Sequence, residues 1–245
     1  MKYGLKLWSN NVELFDEAVA AHASQAFDFI ELYSNPAHKP DFEALKMLKA
    51  LPVTIHATHI DGFHEFVIGE KEEAIWKQTL ELADFFESEV IVIHPGRAHT
   101  FNSFKENLDK IDDSRIYIEN MAGLDVDKNP MFGQELSHLE RMRELRPICF
   151  DFEKAVKAAC YQKKDYKEYI EEALQRLKPS YFHISGGDKD NPVDEHLNLQ
   201  AANFDVAWMK RQLEAMAQPA RLVFETPKAH GIENDIANMV YFRSL

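Results

Sequence analysis

The amino-acid sequence predicts a closed (β/α)8 barrel, in which parallel strands alternate with helices around a ring. Three observations support this prediction. Short apolar runs recur along the 245 residues, segments with helical periodicity separate them, and side chains that can bind metal ions close six of the runs. Strands that are apolar almost throughout are typical of a parallel sheet covered by helices, and their alternation with helical segments indicates an α/β fold.

The predicted strands are short and rich in Val, Ile, Leu, Phe and Tyr. Eight strand–helix repeats in a chain of this length match the number in a closed barrel. The strands cover residues 3–8, 28–33, 53–57, 89–94, 115–119, 147–151, 181–185 and 220–225.

Helical periodicity is clearest in three of the connecting segments. Apolar side chains recur at helical spacing over residues 12–26, 169–177 and 206–216. Pro179 follows the second segment and Pro219 follows the third, and a proline cannot continue a helix. The Met and aromatic side chains in these stripes predict packing in the core.

An open, doubly wound sheet is the alternative to the barrel. The candidate metal ligands fall at the ends of six predicted strands that are distributed through the chain. A barrel brings all of these carboxyl ends to one mouth, whereas an open sheet spreads them along an edge. The positions of the ligands therefore favour the barrel, with a metal site at the C-terminal mouth of its strands.

Composition predicts a single domain over residues 1–245. Hydrophobic residues make up 45% and charged residues 28% of the chain, as in ordinary globular proteins, and no linker or repeat interrupts it. The amino terminus lacks the pattern of a signal peptide, and no apolar run approaches the ~20 residues that span a bilayer. The two cysteines predict buried, reduced thiols. We therefore expect a cytoplasmic protein with no membrane partner.

The charge balance excludes broad, non-specific binding of nucleic acid. Lys and Arg number 28 against 41 Asp and Glu, which gives a net charge of −13. Such a chain repels polyanions on average, and it has no Lys/Arg stripe with interleaved aromatic residues. A local basic patch remains compatible with this balance.

Six of the apolar runs end on a histidine or a carboxylate. A lone histidine at such a place is more often a satisfied core residue than a ligand. A carboxylate that closes an apolar strand is costly to bury unless it is paired or bound to metal. Six such residues at the same end of the strands therefore predict a ring of metal ligands. They are His56, His94, Glu119, Asp151, His183 and Glu225.

Asp194 and His196 add a D-x-H motif in the loop after the seventh strand. In an extended segment the outer residues share a face, so both can reach one cation. The eight residues offer nitrogen and oxygen but no thiolate, which suits Zn²⁺ and, as the alternative, Mn²⁺. Eight ligands exceed one zinc ion and predict two or three metals. Glu119 is the expected bridge, because its strand lies between those of the other ligands.

At these residues the chain resembles the xylose isomerase-like barrel superfamily, and most closely the endonuclease IV family of apurinic/apyrimidinic endonucleases. The matching segments are IHAT, VIHPG, IENMAG, CFD, HISGGD, DEH and FETP, in the family's order within residues 53–227. Each segment is weakly specific, and seven in order form a more specific signature.

The resemblance implies a zinc centre with three positions. His56, His94 and Glu119 would hold one zinc ion, and Asp194 and His196 would supply two ligands of a third. The second zinc ion would be held by Glu119, Asp151, His183 and Glu225.

The chain departs from this family at two places near the predicted metals. The family has D-x-x-H where this chain has Lys154, and an ammonium group supplies no lone pair, so the third site loses a ligand. Its charge could instead hold a substrate phosphate. The family has H-A-P-Y where this chain has His56, Ala57, Thr58 and His59. These departures, the short length and the acidic balance weaken the expectation of DNA repair and leave that of a two-metal centre.

Two hypotheses about function follow. The first is a polynuclear, zinc-dependent phosphoesterase that hydrolyses abasic DNA or a smaller phosphodiester, with Glu119, Glu225 and Lys154 as catalytic residues. The alternative is an isomerase or epimerase of sugars or sugar phosphates with a single Mn²⁺-type site, in which Glu119 and Glu225 move protons. A non-enzymatic binding module is a third. We favour the first, because His56 and His94 have no evident role in the second.

Overall fold

The computed structural model describes residues 1–58, 70–96, 100–228 and 231–245. Within these ranges eight parallel strands close into a barrel, in which each strand pairs with the next along the chain and the last pairs with the first. The predicted closed barrel is confirmed. The strands are β1 (Lys2–Trp8), β2 (Phe29–Tyr33), β3 (Val53–His56), β4 (Ile91–Ile93), β5 (Ile116–Glu119), β6 (Ile148–Asp151), β7 (Tyr181–Ile184) and β8 (Arg221–Phe224).

Helices lie between these strands, and several begin at a side chain that accepts hydrogen bonds from the first turn. Asp165 caps one helix in this way and Asp205 caps another. The α-helices of the described residues are α1 (Phe15–Ala23), α2 (Phe42–Leu45), α3 (Glu70–Phe85), α4 (Phe101–Leu108), α5 (Leu136–Leu145), α6 (Phe152–Gln162), α7 (Tyr166–Leu177), α8 (Val206–Glu214) and α9 (Glu233–Ser244).

The boundaries differ from the predicted ones mainly in the first helical segment. A 3₁₀ turn over Val12–Leu14 precedes α1, which ends at Ala23. Gln25 then adopts a positive φ of 62°, so residue 26 lies outside the helix. The predicted strands agree with the observed ones to within two residues. No helix in the described part of the chain is long and apolar enough to cross a membrane.

Side chains on the strands alternate between the outside and the inside of the barrel. The outward ones, such as Leu5 and Ile30, are fully buried in the main core against the helices. The inward ones form a small apolar cluster toward the amino ends of the strands, which we call the lower layer. It contains Phe29, Val90, Val92, Cys149, Tyr181 and Val223.

The lower layer is tightly filled near β1. A Cβ atom at Gly4 would lie 2.5 Å from Phe29 Cζ, so the absence of a side chain at Gly4 makes room for the ring of Phe29. Cys149 is a buried free thiol, as expected, whereas the free thiol of Cys160 on α6 is partly exposed.

One inward position further along each strand, the side chains become ionisable. Glu31 follows Phe29 by two residues, and His183 follows Tyr181 in the same way. This follows from the period of two in a β-strand, which returns every second side chain to the same face. We call these residues the upper layer. It contains Lys6, Glu31, His56, His94, Glu119, Asp151, His183 and Glu225.

Candidate metal centre

The residues singled out from the sequence lie in the described ranges, and their side chains meet at the carboxyl ends of the strands. His56, Glu119 and Asp151 are the last residues of β3, β5 and β6. His94 and Glu225 directly follow β4 and β8. His183 lies in β7, and Lys154, Asp194 and His196 come from α6 and from the loop that follows β7.

Glu119 lies at the centre of this cluster and is fully buried. Its Oε2 atom is 3.2 Å from His56 Nε2 and 2.6 Å from His94 Nε2. Its Oε1 atom is 2.6 Å from Lys154 Nζ and 2.9 Å from His183 Nδ1. The two carboxylate oxygens therefore face different sets of partners.

The electrostatic environment keeps Glu119 ionised. Burial alone would raise the pKa of this carboxyl group, because the low-dielectric interior disfavours its charged form. The charges of Lys154 and His183 outweigh burial and hold the pKa of Glu119 well below its usual range. The carboxylate is thus available to bind cations at any pH near neutrality.

His56 and His94 form the side of the cluster that Glu119 Oε2 faces. Their rings are 5.0 Å apart between centroids and nearly perpendicular. Burial lowers the pKa of both, that of His94 to about 4, so both rings are neutral at pH 7. His56 Nδ1 is 2.7 Å from the Ala57 carbonyl oxygen and donates to it in the neutral form, so the lone pair on Nε2 is directed toward Glu119.

Asp151 is fixed by the junction between β6 and α6. Its Oδ1 atom accepts a hydrogen bond from the backbone N–H of Lys154 and so caps α6. Its own N–H donates to Asn120 Oδ1 at 2.6 Å, and Asn120 Nδ2 donates back to its carbonyl at 2.9 Å. Burial and neighbouring carboxylates, opposed by Lys154, raise its pKa to about 6.

Two buried carboxylate oxygens of the upper layer accept no hydrogen bond from the described residues. They are Oδ2 of Asp151 and Oε2 of Glu225. A buried carboxylate oxygen without a donor is costly, and a cation relieves that cost. These atoms therefore fit a divalent metal ion that prefers oxygen and imidazole ligands.

Two groups of potential ligands consist only of residues singled out from the sequence, and they share Glu119. In each group the ligand atoms all lie within 4.8 Å of one another. The first group is His56, His94 and Glu119, and the second group is Glu119, Asp151, His183 and Glu225.

Lys154 lies among the carboxylates rather than at the surface. Its ammonium nitrogen is 3.6 Å from Asp151 Oδ2, 3.8 Å from Glu225 Oε2 and 3.9 Å from Asp194 Oδ2, besides its short contact with Glu119. Burial opposes its charge, but these carboxylates raise its pKa well above the usual value. The chain itself thus supplies a permanent positive charge at this point.

Asp194 and His196 do meet, but not in the extended conformation that we expected. His196 has a positive φ of 50°, and its Nε2 atom is 3.3 Å from Asp194 Oδ1 and 3.3 Å from Glu225 Oε2. The turn arises because Gly186 and Leu197 exchange two backbone hydrogen bonds of 2.8 Å, which fold the loop back over β7. Asp194 and Glu225 outweigh burial and raise the pKa of His196 to about 9.

A third metal does not fit the residues present. No metal-compatible group within the described ranges includes Asp194 or His196. Lys154 adds a positive charge beside them instead of a third ligand. Thr58, at the second departure from the family, is hydrogen-bonded to the Tyr33 hydroxyl at 3.2 Å. His59 lies outside the described residues.

The sequence analysis missed Lys6 and Glu31, which carry charge inside the barrel. Lys6 Nζ is 2.6 Å from Glu31 Oε1 and 2.6 Å from Glu225 Oε1. Glu31 Oε2 is 3.0 Å from His183 Nε2. Burial opposes both charges, yet the pKa of Lys6 is raised by Glu225 and Glu31, and that of Glu31 is lowered by His183 and Lys6. The available signal was a charged residue at an inward position of an otherwise apolar strand.

Comparison with solved structures shows a similar fold over the whole chain. Endonuclease IV from Thermus thermophilus superposes with a TM-score of 0.75 at 20% identity, covering 100% of this chain and 98% of that one. The protein called AsfvAP, in the crystal structure described as AsfvAP:AG, superposes with a TM-score of 0.69 at 13% identity, covering 99% and 97%. At these identities the likeness concerns the fold alone.

Comparison of the sequence with curated proteins gives no significant match. The sequence profile of a protein family, described as "Xylose isomerase-like TIM barrel", matches residues 18–242. The match covers most of the chain and includes both groups of candidate ligands. The chain therefore belongs to the xylose isomerase-like TIM barrel family.

Proposed function

We propose that this protein is a zinc-dependent phosphoesterase with two metal positions. The observation that supports this function best is the division of Glu119 between the two groups of ligands. Its Oε2 atom faces the histidine pair and its Oε1 atom faces His183. A carboxylate with one oxygen toward each group is suited to bridge two metals.

Each group would hold one ion through the side chains described above. Divalent cations bound there would lower the pKa of water and neutralise the charge that develops on a phosphoryl group. The neutral His56 and His94 present lone pairs without first losing a proton. Asp151 Oδ2 and Glu225 Oε2 supply oxygen ligands that no other group of the described chain occupies by hydrogen bonding.

Lys154 would contribute directly to the binding of an anionic substrate. Its ammonium group lies between the second group and Asp194, where a phosphoryl oxygen of a substrate would approach. A fixed ammonium group there would hold that oxygen and stabilise charge on the leaving oxygen. His196, which reaches Glu225 from the neighbouring loop, would be protonated at pH 7 and would add to this positive side.

The net charge of −13 restricts the substrate. Long duplex DNA is repelled by such a surface on average, and only a site with local positive charge or tight metal contacts overcomes this repulsion. A small phosphodiester fits best with this balance. A strand with an abasic site remains the second substrate to test, because an endonuclease IV has the same fold.

The first experiment is the metal content per chain of protein purified without added metal or chelator. We expect two zinc ions, followed by hydrolysis of a chromogenic phosphodiester or of a duplex with one abasic site. Glu225→Gln should abolish turnover and leave the fold intact, because it replaces an oxygen ligand by an amide. Glu172→Gln on the exposed face of α7 is the matched control and should behave as wild type. Two bound metals without hydrolysis of either substrate would contradict the proposal.

A single-metal isomerase or epimerase is the alternative, and one observation favours it. The second group by itself provides four ligands, two of them the buried carboxylates Glu119 and Glu225. Such a pair could exchange protons with adjacent carbons of a sugar. One manganese ion per chain, together with interconversion of a ketose and an aldose, would select this function over phosphoester hydrolysis.

A further inference from the structure

Lys6 and Glu31 lie beside the second group inside the barrel, and their side chains are almost fully enclosed. Glu31 is 0% exposed and Lys6 is 8% exposed. We propose that this ion pair is an internal positioning device, which aims His183 and Glu225 at the metal of the second group. The inference rests on the metal centre of the proposed function, and neither residue would touch substrate.

Glu31 is held on both of its oxygens. Oε1 accepts from Lys6 Nζ at 2.6 Å, and Oε2 accepts from the Tyr181 hydroxyl at 2.7 Å. The Tyr181 oxygen is also 2.7 Å from Thr54 Oγ1, so the phenol is fixed in turn. A carboxylate with this many partners cannot rotate without losing several hydrogen bonds. It therefore presents a fixed hydrogen-bond acceptor to the neighbouring imidazole of His183.

Glu31 determines which nitrogen of His183 faces the ligands. His183 Nε2 lies 3.0 Å from Glu31 Oε2, so the proton on Nε2 is donated to Glu31. Nδ1 then points to Glu119 Oε1 at 2.9 Å and to Glu225 Oε1 at 3.5 Å. A carboxylate on the far nitrogen of a histidine fixes the ring and raises its basicity as a ligand. His183 would thus bind metal through Nδ1.

Lys6 performs the corresponding task for Glu225. Its ammonium group donates a hydrogen bond of 2.6 Å to Glu225 Oε1. Glu225 Oε2 accepts no hydrogen bond from the described residues and is directed toward Lys154 and His196. One oxygen is anchored, and the other is directed to the side where Asp151 Oδ2 also lacks a donor.

Lys6 also explains why a further cluster would not bind metal. The ligand atoms of Glu31, His56, His183 and Glu225 lie within 4.8 Å of one another, as metal ligands do. The ammonium group of Lys6 already contacts two of these four side chains. Both contacts are hydrogen bonds of 2.6 Å, so this ammonium group already occupies one oxygen atom of Glu31 and one of Glu225. Lys6 thus limits metal binding to the groups above.

Glu31→Gln tests the positioning role, because glutamine has one acceptor oxygen and cannot serve both Lys6 and His183. We expect the affinity of one of the two zinc ions to fall about 10- to 100-fold, as for other outer partners of metal ligands, with the other unchanged. Competition with a chelator measures both affinities. Nitrogen-15 spectra of the zinc-loaded imidazoles should also show a changed protonation pattern for His183. Asp113→Asn is the control, because it removes a carboxylate that is paired with Arg115 before β5. It should change neither the zinc affinities nor the nitrogen-15 spectrum of His183.

Lys6→Met is the second variant and should weaken the same zinc ion, because Glu225 loses its anchor. Unchanged affinities in both variants, or equal losses of both zinc ions, would overturn the positioning role. An additional metal in Lys6→Met, with the affinities of both zinc ions unchanged, would make Lys6 only the occupant of a metal site and would overturn the positioning role. A wild-type chain that binds no metal overturns this inference and the proposed function together. If the two variants weaken only one zinc ion but the wild-type protein does not hydrolyse phosphodiesters, only the proposed function is refuted.

Discussion

The two layers inside the barrel are built by the same strands but have opposite properties. The lower layer is apolar and aromatic, whereas the upper layer consists of ionisable side chains only two residues further on. Cys149 and Asp151 on β6 illustrate the step, as do Val223 and Glu225 at β8. The pleat thus lets one short strand contribute to stability at one end and to chemistry at the other.

The upper layer is expected to cost stability. It buries Glu31, Glu119 and Asp151 completely, and the desolvation of charged groups can exceed what their ion pairs return. The lower layer has no such cost, because it removes apolar surface from water. The comparison predicts that only changes in the upper layer affect metals and activity, while changes in the lower layer affect the free energy of unfolding and leave the metals in place.

Glu119→Gln should have the largest effect of any single change. Both groups lose their shared carboxylate, so both metal affinities should fall by more than the ~100-fold that outer partners alone cause. Turnover should become undetectable. Thermal unfolding of the chelator-treated variant should also occur at a lower temperature than that of wild type, because the buried ammonium group of Lys154 loses its closest counter-charge. Retention of both metals in this variant would contradict the division between the layers.

Phe29→Ala should give the complementary result in the lower layer. Deleting a buried phenyl ring should reduce the free energy of unfolding by about 3–5 kcal/mol. The number of metals per folded chain should stay the same, because the ring of Phe29 packs against Tyr181 in the lower layer. Urea unfolding and elemental analysis measure the two quantities. A loss of metal without a loss of stability would break the comparison.

The pH dependence should distinguish the two groups within the upper layer. The pKa of His94 is lowered to about 4 by burial, whereas carboxylates hold the pKa of His183 well above its usual value in spite of burial. At pH 7 the first group therefore binds metal without displacing a histidine proton, and the second must displace one. When a proton is displaced, the metal affinity rises about tenfold per pH unit. Between pH 6.5 and 8, therefore, only the affinity of the second group should change. Calorimetric titration of chelator-treated protein in buffers of different ionisation enthalpy counts the protons.

Gly4→Ala should have the smallest effect and tests how full the lower layer is. The added methyl group would lie 2.5 Å from Phe29 Cζ, so the ring must shift. We expect a loss of about 1–3 kcal/mol in the free energy of unfolding, which is typical of overpacking. The double variant with Phe29→Ala should lose less than the sum of the two, since the contact is then absent. Full additivity would show that the two side chains do not compete for space.

The fold and the main ligands could be predicted because their signals are local. Apolar runs, proline stops and polar strand ends are each visible within a few residues of sequence. Strand ends in a barrel converge whatever the details of packing, so His56, Glu119 and Asp151 were found without knowing any contact. Their roles as metal ligands remain a prediction.

The positions that the sequence did not predict depend on contacts between distant strands. Lys6 is one of two lysines in β1, and only the closure of β1 against β8 brings it to Glu225. The conformation of His196 depends on two backbone hydrogen bonds between Gly186 and Leu197. The reach of Lys154 into the carboxylates depends on its side-chain rotamer. None of these has a local signature.

The contact between Lys6 and Glu225 has a consequence for folding kinetics. The two residues are 219 positions apart, on the first strand and directly after the last one. Glu225 is therefore anchored only when the ring has closed, which is a slow, non-local event. A metal ion that binds only the closed barrel stabilises the folded state. It does not stabilise the transition state for folding, which precedes closure. Bound zinc should therefore slow unfolding and leave the folding rate nearly unchanged.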